Sequence, residues 1–145
     1  MKAVCQRVIS AELKVDGKLI SKIGKGLVVF FGVGKGDTEE QTDWIVKRIS
    51  ALRVFEDENG KMNKSVKDVN GEILFVSQFT LFGDVSGGNR PSFTTAEEPQ
   101  KAEAMYMYAY DKIKENGIPV RPGVFGADMK ISQINDGPVT IIIEK

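Results

Sequence analysis

The sequence predicts an α/β fold in which two main helices pack on a mixed sheet with barrel-like layers. Two observations support this prediction. Apolar runs of strand length recur along the chain, and two longer segments place their apolar residues at helical spacing. The chain has 145 residues, which is enough to bury one substantial core. Residues 1–145 are therefore expected to form a single domain.

Composition narrows the possible functions. Twenty basic and twenty acidic residues leave no net charge, so contact with nucleic acid would need a local patch. The chain has no histidine and one cysteine, which excludes a Ser-His-Asp triad, a Cys-His pair and a structural zinc site. We expect no metal site and no cofactor.

Targeting signals are also absent from the sequence. No apolar run approaches the ~20 residues of a membrane span, and the N-terminus lacks the apolar core of a signal peptide. The single Cys5 cannot form an internal disulfide and fits a reducing compartment. A cytoplasmic protein without membrane contact is expected.

The first strand is predicted over residues 2–10, where alternation places Ala3, Cys5, Arg7 and Ile9 on one face. Arg7 thus shares a face with apolar residues, and a buried guanidinium needs acceptors for its five N–H donors. The alternative, that Arg7 reaches past an edge strand into water, stays open.

Glycine-containing turns separate the next elements. Asp16-Gly17 predicts a hairpin into a strand over 18–23, and the continuous apolar run 27–33 predicts a central strand. The glycines of 32–37 lack the spacing of a phosphate loop and are interpreted as a turn into a helix. Asp37 or Thr38 is expected to cap that helix, with Glu40 or Gln41 completing a capping box. Its packing residues are expected to be Trp44, Ile45, Ile49 and Leu52.

The middle of the chain predicts short strands. One is expected at 53–55, and the acidic turn 56–60 that follows does not have the ligand positions of a calcium loop. Asn70-Gly71 predicts a hairpin turn leading into a buried strand at 73–76.

We place the chemistry at the end of that strand. Ser77, Gln78 and Thr80 follow it directly, and a strand end holds hydroxyl, amide and backbone N–H groups in fixed directions. The alternative is that these side chains only satisfy one another where the strand becomes a loop. The loop over 85–89 is interpreted as either a lid or a surface excursion.

The last third predicts a helix and three extended segments. Pro99 suits the first turn of the helix, and Asn116-Gly117 ends it. Its apolar stripe is interpreted as core and comprises Ala102, Met105, Tyr106, Ala109, Tyr110 and Ile113. Extended segments are expected at 120–125, 129–134 and 139–143. Between the last two, 135–138 is either a hairpin turn or a functional segment that exposes the carbonyls around Gly137-Pro138.

Two motifs together resemble the signatures of the D-aminoacyl-tRNA deacylases: Ser-Gln-Phe-Thr-Leu at 77–81 and Asn-Asp-Gly-Pro-Val-Thr at 135–140. Shorter stretches at 6–8, 60–63, 90–93 and 125–129 are also similar to that family, so the resemblance covers essentially the whole chain. It implies the deacylase-like fold and an enzyme that hydrolyses the ester between a D-amino acid, or glycine, and the terminal ribose of tRNA.

The resemblance also implies roles for individual residues. Gly137 and Pro138, joined by a cis peptide bond, would enter the site of a second subunit in a homodimer, hold the substrate amino group and exclude an L side chain. Arg7 would hold that motif in place. Residues 77–80, that is Ser77, Gln78, Phe79 and Thr80, would line the reacting ester, and Phe125 with Met129 would border the pocket for the terminal adenosine.

Thr80 is the obvious nucleophile by residue type, but no histidine is present to activate it. We expect instead that backbone N–H groups around Phe79 and Thr80 stabilise the oxyanion, with help from the neighbouring ribose hydroxyl. Three alternatives stay open: the related deacylase that removes L-alanine mischarged on tRNA, a non-catalytic tRNA-end-binding module and, more distantly, a metabolite-binding protein. Arg7 beside the Gly-Pro motif favours the D-specific enzyme.

Overall fold

The computed structural model describes residues 1–145 and contains a six-stranded mixed sheet, a two-stranded sheet and two main helices. The strands are β1 Lys2–Val15, β2 Lys18–Ile23, β3 Gly26–Gly32, β4 Phe55–Glu56, β5 Met62–Lys64, β6 Glu72–Ser77, β7 Val120–Pro122 and β8 Met129–Glu144. The helices are α1 Glu39–Ala51 and α2 Pro99–Glu115, and Phe79–Phe82 form a 3-10 helix. In the large sheet the order is β2-β1-β3-β6-β7. Strands β2 and β3 pair with different parts of one edge of β1, and β8 pairs with its other edge. The predicted mixed sheet with two helices is confirmed.

Strand β1 organises the sheet and is longer than predicted. Its first half pairs with β3, its second half pairs with β2, and β8 pairs along its other edge. Cys5 and Arg7 are both buried, but Val8 is buried as well and Ile9 is 56% exposed. The prediction for Ile9 is wrong because β1 carries one extra residue between Val8 and Ser10, whose partners Asn135 and Ile134 are adjacent in β8. The alternation of faces shifts by one residue there, so Ala11 and Leu13 join the same buried cluster as Val8.

Both helices begin where the sequence predicts. Thr38 caps α1, and Gln41 completes a capping box. Pro99 occupies the first turn of α2. No helix in the structure combines the length and the apolar character needed to cross a membrane.

Apolar side chains cover both faces of the sheet. The larger cluster lies under the helices and includes Phe31, Phe75 and Tyr106, whereas Val28 and Val76 belong to a smaller cluster on the opposite face. Because β3 and β6 are buried on both faces, their sequences are continuous apolar runs. Burial on both sides fits the predicted barrel-like arrangement.

Two predicted hairpins are not hairpins. Residues 129–144 form the single strand β8, in which Asn135 pairs with Val8 and Thr140 with Gln6. Residues 136–139 therefore bulge out opposite Arg7, and the hairpin interpretation of 135–138 is wrong. Asn70 does adopt the positive φ of a tight turn, but the strand that follows, β6, pairs in parallel with β3 and β7. The brief strand predicted at 53–55 begins two residues later, as β4.

Candidate active site at the end of strand β6

A gap in the sheet forms the main cavity. Strands β6 and β7 pair only from Ile73 to Phe75, and the backbone N–H of Gly123 donates the last bond, 2.8 Å long, to the Phe75 carbonyl. Beyond Phe75, β6 continues to Ser77 with β3 as its only partner. The space that opens has a volume of about 620 Å³, and residues from both apolar clusters line it.

The strand-end motif forms one wall of this cavity. Ser77, Gln78 and Phe79 line it, and the Gln78 N–H is tied to the Phe31 carbonyl at 2.8 Å. The N–H groups of Phe79 and Thr80 begin the 3-10 helix and donate no hydrogen bond within the chain. Of these two residues Phe79 lines the cavity, so this wall presents a free backbone donor at the end of a buried strand, and the Thr80 N–H follows it.

Thr80 is placed differently from its neighbours. It does not line the cavity, and its hydroxyl accepts a hydrogen bond from the Gln78 side-chain amide. No carboxylate or lysine hydrogen-bonds to that hydroxyl. One alternative was that the polar side chains of this motif only bond to one another. This is correct for Gln78 and Thr80, but Ser77 and Gln78 also line the cavity.

The opposite wall carries Phe125 and Met129, the two residues expected to border the terminal adenosine. The chain enters this wall through Gly123, where an added Cβ would lie 2.9 Å from the Met129 Sδ. Glycine therefore allows this close packing, because an added Cβ would displace the Met129 side chain or the wall itself. The structure brings both predicted walls of the site to one cavity.

The mouth of the cavity is aromatic and charged. The Phe79 ring meets Phe93 edge to face, with centroids 5.1 Å apart. Lys35, Glu97 and Asp128 also line the cavity. The backbone N–H of Glu98 is the main cause that lowers the pKa of Glu97, so this carboxylate stays charged at neutral pH.

Arg7, Gly137 and Pro138 lie outside the cavity of their own chain. Arg7 is 7% exposed and donates from Nη1 to the Val54 carbonyl at 2.6 Å and from Nε to the Asp136 carbonyl at 3.2 Å. Its Nε is also 3.2 Å from the Asp136 Oδ2. The alternative in which Arg7 reaches water is wrong. The Gly137-Pro138 peptide bond is cis, as the resemblance implies.

Sequence reasoning did not identify Tyr106 as part of the site. It was assigned to the apolar stripe of α2, and it is buried, but it also lines the cavity. Burial raises the pKa of Tyr106 to about 12. The signal that could have identified it was its hydroxyl, because a tyrosine within a buried stripe needs a hydrogen-bond partner.

Metal-binding residues do not gather anywhere in the chain. No three His, Cys, Asp or Glu side chains lie close enough together to hold a metal ion. The groups that the cavity offers to a ligand are apolar rings, backbone donors, the Ser77 hydroxyl, the Gln78 amide and the charges at its mouth.

Comparisons with known proteins agree along the full length of the chain. Residues 4–144 match the model of the family described as D-Tyr-tRNA(Tyr) deacylase. A D-aminoacyl-tRNA deacylase of Geotalea daltonii is 55% identical over 99% of this chain and 96% of its own length. One from Persephonella marina is also 55% identical, over 99% of this chain and 97% of its own length.

Two solved structures share this fold along nearly the whole chain. One, described as "c-Myc DNA Unwinding Element Binding Protein", superposes with a TM-score of 0.95 at 44% identity and covers 100% of this chain and 99% of that chain. A second, described as a probable eukaryotic D-amino acid tRNA deacylase, has a TM-score of 0.82 and covers 98% of this chain and 97% of that chain. At 18% identity it supports the fold alone.

Proposed function

The chain belongs to the D-Tyr-tRNA(Tyr) deacylase family, and from this membership we propose that it hydrolyses the ester bond of D-aminoacyl-tRNA. The products are the free D-amino acid and tRNA, so the role is chiral proofreading in translation. The proposal includes glycine mischarged on tRNA-Ala and a single deacylase domain over residues 1–145. Because aminoacyl-tRNA is the substrate, it also includes a cytoplasmic location.

One observation about the site carries the proposal. Ser77, Gln78 and Phe79 lie on one wall of a cavity of about 620 Å³, and Phe125 and Met129 lie on the other. A cavity of this size suits an amino acid esterified to a terminal nucleoside. The Phe125 ring on one wall can stack on adenine, and the polar strand end then meets the ester.

Little chemical assistance is needed at this ester. An aminoacyl ester is already activated, so positioning and a few oriented donors supply most of the catalysis. The unpaired N–H groups of Phe79 and Thr80 are the donors that we assign to the oxyanion. One such donor contributes roughly 3–4 kcal/mol, or two to three decades of rate.

The nucleophile is assigned to water assisted by the neighbouring ribose hydroxyl of the substrate. The Thr80 hydroxyl is bonded to the Gln78 amide, and no basic group is bonded to it. An unactivated threonine is a weak nucleophile at neutral pH. We therefore give Thr80 a positioning role, through its hydrogen bond with the Gln78 side chain that lines the cavity.

Chiral selection is assigned to Gly137 and Pro138 of a second copy of the chain. Neither residue lines the cavity of its own chain, so they would reach the ester only across a homodimer. A site that fixes the amino group and the carbonyl distinguishes only the hydrogen and the side chain on Cα. Backbone atoms crowding one direction would admit D-amino acids and glycine and reject L-amino acids.

The test is release of amino acid from matched D- and L-tyrosyl-tRNA under single-turnover conditions. We expect rapid release from the D-ester, with the L-ester hydrolysed no faster than in buffer. Faster release from L-alanyl-tRNA than from D-alanyl-tRNA would identify the L-alanine deacylase instead. Binding of tRNA without release of amino acid would leave only a binding module.

A second candidate function follows from one structural relative. The solved structure at 44% identity is described as a protein that binds a DNA unwinding element. Binding to single-stranded DNA would then be expected of this chain, and a fluorescence titration with a labelled oligonucleotide at about 150 mM salt tests it. Saturable binding with no ester hydrolysis would favour this candidate.

A further inference from the structure

The Tyr106 hydroxyl lies at the fork where β6 and β7 separate. It donates to the Phe75 carbonyl at 2.7 Å and accepts from the Gly123 N–H at 3.2 Å. The Gly123 N–H also donates to the Phe75 carbonyl, so three groups from β6, α2 and the segment after β7 meet at one point. The Tyr106 ring is 2% exposed and stacks on Phe75 with centroids 5.0 Å apart.

This point is the origin of both cavity walls. Ser77 follows Phe75 by two residues on one wall, and Phe125 follows Gly123 by two residues on the other. The Tyr106 ring is also 6.1 Å from the Phe125 ring, between centroids. Beyond Phe75 no ladder bond joins β6 to β7. The width of the cavity at its base is therefore set by the last ladder bond and by one hydroxyl.

We propose that Tyr106 is a positioning residue whose hydroxyl sets the separation between the ester-binding strand end and the adenosine-binding wall. The inference rests on the proposed function, which assigns the two walls to the two parts of the substrate. A substrate held by Phe125 and Met129 reaches the donors of Phe79 and Thr80 only at the correct separation. A misplacement of about 1 Å can lower a rate by up to about 100-fold.

Tyr110 offers a matched control for a merely structural role. It lies one turn further along α2, and its hydroxyl donates to the Val120 carbonyl of β7 at 3.4 Å. It does not line the cavity. Tyr110→Phe removes one bond, to the Val120 carbonyl of β7. Tyr106→Phe removes two bonds, to the Phe75 carbonyl and from the Gly123 N–H, and both lie at the fork.

The experiment compares Tyr106→Phe, Tyr110→Phe and the unmodified chain in single-turnover hydrolysis of D-tyrosyl-tRNA at varied enzyme concentration. For Tyr106→Phe we expect the maximal rate to fall about tenfold, with the half-saturating concentration changed less than about twofold. For Tyr110→Phe both values should stay within about twofold of the unmodified chain. Circular dichroism and urea unfolding give the folded fraction of each variant.

Equal maximal rates for the two variants, per folded molecule, would overturn the role of Tyr106. If Tyr106→Phe does not fold, Gly123→Ala replaces it, because its Cβ would lie 2.9 Å from the Met129 Sδ and 3.4 Å from Leu13 Cδ1. Either the backbone at the fork or the Met129 side chain of the same wall must then move. The same loss of maximal rate is expected, and an unchanged rate would overturn the inference. An unmodified chain that releases no amino acid would instead overturn the proposed function, and the role of Tyr106 with it.

Discussion

The strand end and the Gly-Pro bulge are held in opposite ways. Ser77 and Gln78 continue a strand that is buried on both faces, so the ladder and the core fix their positions. Residues 136–139 have left the ladder with β1, and the buried side chain that bonds to their backbone is Arg7. The strand end that would carry the chemistry is thus held by backbone hydrogen bonds and core packing. The Gly-Pro bulge that would select chirality is held by the guanidinium of Arg7.

The largest effect should come from Gly137→Ala, which strikes the bulge directly. Gly137 has a φ of +124°, and an added Cβ would lie 2.9 Å from Val139 Cγ2 and 3.3 Å from Arg7 Nη2. The bulge must therefore shift, and hydrolysis of D-tyrosyl-tRNA should fall by about 100-fold. Single-turnover rates measure this loss. Gly87→Ala is the control, because nothing lies within 4 Å of its Cβ and its rate should not change. Full activity of Gly137→Ala would remove the bulge from the site.

Arg7→Lys should have the next largest effect, because it weakens the only side-chain tether of the bulge. Lysine cannot place separate donors on the Val54 and Asp136 carbonyls as a guanidinium does. The free energy of unfolding should fall by about 2 kcal/mol, and D-ester hydrolysis should fall by about tenfold. Urea unfolding and single-turnover kinetics measure the two quantities.

The control for this change is Arg121→Lys. Arg121 is exposed, and its Nε lies 3.9 Å from a Glu72 carboxylate oxygen. Its substitution should change the unfolding free energy by less than about 0.5 kcal/mol. If Arg7→Lys behaves like Arg121→Lys, the bulge does not depend on its tether and the comparison fails.

Thr80→Ala tests the strand end rather than the bulge, and it should lower the rate of hydrolysis only slightly. If main-chain donors carry the chemistry, removing the hydroxyl leaves them in place, and the single-turnover rate should fall by less than about threefold. Thr80→Ser, which keeps the hydroxyl, is the matched variant. A Thr80→Ala rate at background with the fold intact would make Thr80 the nucleophile and our assignment wrong.

The smallest effect is on the stability at alkaline pH, and it comes from two buried groups that lose a proton there, the Cys5 thiol and the Tyr106 hydroxyl. Burial raises the pKa of Cys5 from 9.0 to about 12 and that of Tyr106 from 10.0 to about 12. The unfolded chain therefore loses these protons first as pH rises, so stability falls between about pH 9 and 12. The slope is at most about 1.4 kcal/mol per pH unit for each group.

Urea unfolding between about pH 7 and 11 measures this dependence. The exposed pairs Lys22–Glu12 and Lys112–Glu115 raise the pKa of their lysines and act in the same direction. Cys5→Ala is therefore compared with the unmodified chain, and its stability should fall less steeply above about pH 9. Equal slopes would mean that Cys5 is not shielded from water.

Local signals predicted the elements that depend on local physics. The hairpin at Asp16-Gly17, the capping box of Thr38 and the proline start of α2 are all set by residues within a few positions of one another. The buried strand before Ser77 was also predicted correctly, because a short apolar run bounded by turns is typical of a buried strand.

Predictions failed where distant residues decide. Residues 136–139 bulge opposite Arg7, which bonds to the Asp136 carbonyl from 129 positions away in the sequence, and no local pattern records that contact. Asn70-Gly71 has the residues of a hairpin turn, yet β6 does not pair with the segment before it. It pairs in parallel with β3 and β7, which are distant in the sequence. Only the resemblance to the deacylase family predicted that Phe125 and Met129 share a site with the strand end. A cavity between segments distant in the sequence leaves no pattern in residue spacing.

The edge position of β8 gives the bulge one more consequence. This strand has sixteen residues, no partner on its outer edge within the chain, and exposed side chains at Ile134 and Ile142. Long, regular, apolar edges invite open-ended strand addition and aggregation. Residues 136–139 break the regular hydrogen-bonding row near its middle, so the irregularity that would read substrate handedness also makes this edge a poorer template for strand addition.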